Sequence, residues 1–108
     1  MEIIAGVIEL KPNSMERVEE WATTINNRID EAIKTLKDEG VTIESFFHLP
    51  LDGKDYLLTY MRVDSFKKAQ DVVKDSIHEI DTYHQQFKKD TWLDGTKARL
   101  LVDLVNNS

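Results

Sequence analysis

The stretch from Gly40 to Val63, GVTIESFFHLPLDGKDYLLTYMRV, alternates apolar and polar positions on either side of Asp52-Gly53, the pattern of a β-hairpin. Two registers are open to it. A two-residue Asp52-Gly53 loop sets Glu44 opposite Met61 and Ser45 opposite Tyr60, mixing polar with apolar partners. A three-residue loop, Leu51-Asp52-Gly53 with a left-handed Gly53 at a bulge, shifts the pairing by one residue. Val41 then meets Val63, Ile43 meets Met61, Ser45 meets Thr59 and Phe47 meets Leu57 on a face fit for burial. The opposite face pairs Thr42 with Arg62, Glu44 with Tyr60, Phe46 with Leu58 and His48 with Tyr56. A slip of one residue carries every side chain to the other face, so the cleaner segregation makes the three-residue loop the expectation.

The flanking chain supplies the remaining elements. Residues 1–10, MEIIAGVIEL, read as a strand that Lys11-Pro12 ends. A helix is expected over residues 14–39, starting at Asn13 or Ser14, with Glu16 at capping-box spacing from Asn13. Its apolar stripe runs through Met15, Val18, Ala22, Ile25, Ile29, Ala32, Ile33 and Leu36, and Gly40 is its left-handed stop. A second helical region starts at Asp64 or Ser65 and buries Phe66, Ala69, Val72 and Val73. A fresh capping box, Ser76-Ile77-His78-Glu79, predicts a break near Asp75-Ser76. The following segment carries Ile77, Ile80, Tyr83, His84 and Phe87 and ends at Lys88-Lys89. A polar connector with an Asp94-Gly95 turn leads to a last strand over residues 97–105, and residues 106–108 fray.

The order β-α-β-β-α-β is that of a ferredoxin-like α+β sandwich: one antiparallel four-stranded sheet with its helices on one face. The strands are apolar on both sides. Ile3, Ala5 and Val7 alternate with Ile4, Ile8 and Leu10, and Ala98, Leu100, Val102 and Leu104 with Leu101 and Val105. A sheet with one wet face alternates with polar residues instead. The uncovered face, with Phe46, Leu58, Tyr56 and Tyr60, is therefore expected to pair with a second copy in a homodimer.

Composition narrows the functional classes. A chain of 108 residues makes one domain, residues 1–108, and its 41% hydrophobic and 31% charged content is that of a globular protein. The net charge of −6 argues against nucleic acid as a partner. The lack of cysteine excludes disulfides, thiolate metal sites and a thiol nucleophile. The amino terminus has neither the basic region nor the long apolar run of an export signal, so a cytoplasmic protein without membrane association is expected. Glycine-rich phosphate loops, Gly-x-Ser-x-Gly elbows and paired His-Glu metal motifs do not occur, and no cofactor is expected.

Element order, length and double-sided strands resemble the dimeric α+β barrel superfamily, whose members pair ferredoxin-like sheets. More narrowly, GVIELKP at 6–12, DEA at 30–32, DEGV at 38–41, YLLTYMR at 56–62 and HEIDTYH at 78–84 resemble an uncharacterised bacterial family of unknown function. That resemblance spans nearly the whole chain and implies a fold but no reaction. Activities in the superfamily include sugar mutarotation, cofactor-free oxygenation of aromatics, haem breakdown and chlorite chemistry. The helix over 14–39 has no histidine, which weakens the first, and no feature singles out His48, His78 or His84 as a haem ligand.

Candidate site residues follow from the hairpin register. Glu44 and Tyr60 as cross-strand neighbours form either an acid/base dyad or a hydrogen bond that fixes a dimer interface. Arg62 lies one pleat along and suits a ligand carboxylate, with His48 and Tyr56 at the rim. His78-x-x-Asp81-x-x-His84 spreads its outer pair about 120° around a helix, which argues against a metal site. Trp21 and Arg28, seven apart on one helix face, can roof a pocket with His84. The expectation is a small-molecule pocket on the sheet, either between helix and sheet or inside the barrel. The alternative is a structural or ligand-sensing dimer in which the Glu44/Tyr60 pair serves the interface.

Overall fold

In the computed structural model, which describes residues 1–107, β2 (Val41–Leu51) and β3 (Lys54–Val63) are joined by Asp52 and Gly53 alone. Both residues are left-handed, with φ of 52° and 78°. A type I′ turn requires that pair of conformations, and its twist matches that of the strands it joins. The ladder therefore sets Phe47 against Leu58, Phe46 against Thr59, Ser45 against Tyr60, Glu44 against Met61 and Ile43 against Arg62. A bulge between Val41 and Ile43 returns Val41 to Val63. The expected three-residue loop is thus corrected, and Glu44 and Phe46 move to the face opposite Tyr60 and Leu58. Apolar segregation misled because both faces of this sheet are apolar, so it could not choose between registers, whereas turn geometry could.

β1 (Glu2–Leu10) pairs with β3 and with β4 (Trp92–Lys97), giving an antiparallel sheet in the order β2-β3-β1-β4. This is the ferredoxin-like topology. The last strand is another correction, for it covers Trp92–Lys97 rather than residues 97–105. The expected turn residue Gly95 lies within it opposite Ile8, and the pairing shifts so that Leu10 faces Trp92. Residues 98–107 run on past the sheet without regular structure. The Ala98 amide donates to the Ala5 carbonyl at 2.9 Å, and Arg62 pairs with Asp103 at 2.6 Å, which ties the segment back to the sheet.

The long first helix divides. α1 (Met15–Asn27) ends at Arg28, whose ψ of 38° leaves the helical region, and α2 (Ile29–Glu39) starts at once. Asn26 and Asn27, poor helix formers, precede the break. Gly40 closes α2 in the left-handed conformation, φ 71°. The expected capping box at Asn13 does not form: Asn13 itself is left-handed at φ 61°, and Ser14 is the N-cap, its hydroxyl donating to the Lys11 carbonyl instead.

The second helical region breaks where expected, into α3 (Phe66–Lys74) and α4 (Glu79–Thr91). Ser65 caps α3 by accepting from the Lys68 amide. Ser76 does not itself cap α4; the N-cap is His78. The Ser76 hydroxyl instead accepts from the His78 amide and donates to Asp81, fastening the connector to the first turn. α4 outlasts Lys88-Lys89 and ends at Thr91, whose hydroxyl donates to the Phe87 carbonyl.

Two apolar clusters join the helices to one face of the sheet. Ile8, Leu10 and Leu57 pack with Val18, Trp21 and Phe87 in the first, and Phe46 borders it. Val41 and Val63 pack with Ala69 in the second, beside Ile4, Leu36, Met61 and Phe66. On the opposite face Phe47 is 56% exposed. Among the described residues no helix is long and apolar enough to cross a membrane.

Candidate active site between helices and sheet

The corrected register decides what faces the helices. Glu44 and Phe46, two apart on β2, both point under α1, α2 and α4 into a cavity of about 700 Å³. Its apolar wall draws on both clusters, with Trp21, Ile25 and Phe46 from one and Leu36, Val41, Met61 and Phe66 from the other, and Ile80 lines it too. Interiors normally close such spaces, since every unfilled contact forfeits dispersion energy. A cavity of this size falls within the range of small-molecule sites.

Charged groups gather on that apolar wall: Glu39 from the end of α2, Glu44 from β2, Lys74 from the end of α3, and Asp81, His84 and Lys88 from α4. α4 presents all three because steps of three and four keep residues on one helix face. Burial, reinforced by the charges of Asp81 and Glu44, pushes the Glu39 carboxyl up to about 7. Burial also raises Glu44, against the pull of Lys88. Lys88 is itself lowered, burial outweighing the attraction of Glu44, Glu39 and Asp81. Among the described residues no group of three His, Asp or Glu side chains converges closely enough to hold a metal ion.

His84 is the most constrained member. Trp21 Nε1 donates to its Nδ1 at 3.1 Å, and the two rings stack with centroids 5.7 Å apart. Phe46 meets it at an angle, 5.8 Å away, and Phe87 stacks on Trp21 at 4.2 Å. Burial, with Lys88 nearby, lowers His84 to about 3, so its ring is neutral at physiological pH.

The structure brings together some of the residues singled out in the sequence and separates others. Trp21, Glu44 and His84 line this cavity. Tyr60 and Arg62 lie on the opposite face of the sheet, where Arg62 donates to the Tyr60 hydroxyl and pairs with Asp103. Glu44 and Tyr60 therefore form no dyad. Arg28 leaves the roof and pairs with Glu31 on the surface. His48 pairs with Asp55 at 2.8 Å near the hairpin tip, with Tyr56 on the neighbouring outer face of β3. His78 pairs with Asp38 at 3.0 Å beside a second, more open hollow. Sequence reasoning missed Glu39, Asp81 and Lys88 as wall residues. Each had a local setting that concealed it: Lys88 matched the preference for cations at a helix carboxyl end, Glu39 stood in the polar Lys37-Asp38-Glu39 run before the Gly40 stop, and Asp81 lay inside an apparent histidine motif.

No curated protein matches the chain. Among solved structures it is similar to a Bacillus cereus protein described as an antibiotic biosynthesis monooxygenase, at 17% identity and a TM-score of 0.46, over 98% of this chain and 96% of that one. The model of a family of unknown function, DUF6176, matches residues 1–107, and the chain belongs to that family.

Proposed function

We propose that this protein binds a small, largely apolar molecule in the helix–sheet cavity and handles a proton there. The observation that carries this reading is the conjunction of about 700 Å³ of open space with Glu39, Glu44, Asp81, His84 and Lys88 on an otherwise apolar wall. Packing alone would close such a space, and stability alone would not gather three carboxylates around it; groups kept at such a cost commonly serve a ligand. The helix–sheet position, one of the two expected for a pocket, is favoured here because the observed register puts Glu44 on the helix side of the sheet.

The test fills the space. Ala22 lies on the cavity wall, and Ala22→Phe places a ring inside it. A panel of uncharged and charged metabolites is screened by thermal shift on both proteins. At least one compound is expected to raise the melting temperature of the wild type and to have no effect on Ala22→Phe. A panel without any wild-type shift, together with a filled variant more stable than wild type, would leave a packing defect in place of a site.

A second reading concerns assembly, and it rests on a different observation. Phe47, Ile43 and the apolar residues of the 98–107 segment stand in solvent, Leu104 at 89% exposure. The 98–107 segment is apolar on both sides, and a strand of that kind ordinarily lies between two layers. We propose that the outer sheet face and this segment are covered by a second copy of the chain in a homodimer. The cavity lies on the other side of the sheet, so each copy carries its own.

A further inference from the structure

The tautomer of His84 is set by its neighbour. An indole N–H can only donate, so the bond from Trp21 Nε1 to Nδ1 means that Nδ1 is bare. The proton of the neutral ring is then on Nε2. Stacking against Trp21 and edge contact with Phe46 hold the ring in the cavity wall. His84 is thus a fixed donor, not a base. Glu44 enters the same cavity from β2, beside Phe46, and is an acceptor whenever it is ionised.

A fixed neutral donor and a half-buried carboxylate in an apolar cavity are the two groups needed to move a proton next to a carbonyl. We infer that the cavity catalyses enolisation of uncharged, apolar cyclic ketones, with Glu44 as the base and the Nε2–H of His84 as the donor to the carbonyl oxygen. This rests on the reading of the cavity as a ligand site. Glu44 takes the proton from the α-carbon, and the C–H electron pair becomes the C=C bond while the carbonyl π pair moves to oxygen. The oxygen, now negative, is held by Nε2–H. The protonated Glu44 swaps its proton with solvent and returns a solvent-derived one to the same carbon, which exchanges the α-hydrogen, or delivers its proton to the γ-carbon of an unsaturated ketone, which shifts the double bond. No oxidant or cofactor enters the balance.

The lining selects the substrate class. Lys74 and Lys88 offset much of the charge of Glu39, Glu44 and Asp81, and the predominantly apolar wall favours an uncharged ring. Lys88, one turn beyond His84 on the same face of α4, lines the same cavity and supplies a cation to steady the developing oxyanion. Proton removal by Glu44 needs its ionised form. The groups acting on that form are Lys88 and Asp81 from α4 and Glu39 from α2, so the rate rises with pH until Glu44 is fully ionised.

The experiment uses two probes on the intact protein. Loss of the α-proton signals of β-tetralone in D₂O is followed by NMR, and a β,γ-unsaturated cyclohexenone is followed by the ultraviolet absorbance of its conjugated product. Binding of each ketone is read separately from saturation-transfer NMR. Wild type is expected to exceed the buffer rate, Glu44→Gln to lose at least about 10²-fold, and His84→Leu to lose on the order of 10²-fold. Trp21→Phe, which frees Nδ1 to take the proton, keeps the fold and loses a smaller factor; its histidine ¹⁵N shifts then report the mixed tautomer. Binding without exchange, or exchange that survives Glu44→Gln in a folded protein, overturns the enolisation and leaves the ligand site standing. Neither binding nor exchange with either ketone overturns the substrate class, and the metabolite panel with Ala22→Phe then decides the site by itself.

Discussion

At the scale of single residues, the cavity wall predicts an unusual dependence of stability on pH. Glu39 has its carboxyl at about 7 in the folded chain against an ordinary 4.5. Between those values the folded state keeps a proton that the unfolded state has released, so stability falls as pH rises. His84 sits at about 3 against 6.5. Here the unfolded state takes up the proton first, so stability falls as pH drops from 6.5 towards 3. From 4.5 to 6.5 the two slopes oppose one another, each bounded by about 1.4 kcal/mol per pH unit for one proton. Relative to wild type, Glu39→Gln should tilt the profile towards stability rising with pH across that window, and His84→Gln should tilt it the opposite way, with Glu44, also raised, adding to the carboxyl slope. Urea unfolding at several pH values measures both, and two variants with the same pH profile as wild type would mean that neither group is perturbed.

Glu44 and Tyr60 separate at this scale too. Glu44→Gln removes a half-buried charge among like charges and should hold or raise the melting temperature at neutral pH. Tyr60 accepts from Arg62 on the outer face, and Arg62 keeps its pair with Asp103. Tyr60→Phe should therefore cost less than about 1 kcal/mol, as a partly exposed hydrogen bond does, and should leave ligand binding intact. Loss of binding in that variant would mean that the outer face, not the cavity, is the site.

At the scale of elements, the hairpin turn and the α3–α4 connector each have a decisive residue. Gly53 has φ of 78° with open space around its Cα, so Gly53→Ala meets no clash and pays only for the left-handed conformation. About 1 kcal/mol is expected, measured by chemical denaturation. No cost at all would mean that Gly53 is not held in the left-handed conformation. Ser76→Ala deletes the bonds to the His78 amide and Asp81 and should also cost about 1 kcal/mol. Asp81 is a wall residue, so the same variant should also loosen ligand binding.

At the scale of the whole molecule, the apolar outer face and the 98–107 segment bear on assembly. If a second copy covers them, the wild type sediments as twice 12.5 kDa at micromolar concentration. Leu58→Lys on the outer face should dissociate it, because the buried interface would then hold an unpaired charge. A truncation after Lys97 should weaken the dimer while sparing the sheet, whose ladder ends there. A wild type that stays monomeric would overturn the assembly and leave the cavity reading unchanged.

Element identity was legible from local chemistry. Apolar periodicity marked the helical regions, Gly40 and Ser65 marked their ends, and the order of elements named the ferredoxin-like topology. These are short-range preferences, set within a turn or two of each residue. Two boundaries failed for want of a partner: residues 97–105 have the composition of a strand, but β1 pairs with Trp92–Lys97, and the helix over 14–39 breaks at Arg28 although its apolar stripe runs on. The site failed by one residue of register. With Glu44 opposite Met61 instead of Tyr60, a supposed dyad on the outer face becomes one of three carboxylates on a cavity wall that Trp21 and His84 also line. Residue types and their spacing determined that a carboxylate, an indole and an imidazole were available. Which of them share a cavity was decided by a turn conformation and by packing between α1, α4 and β2, because period-two strands send neighbouring side chains to opposite faces and only the fold says which face is covered.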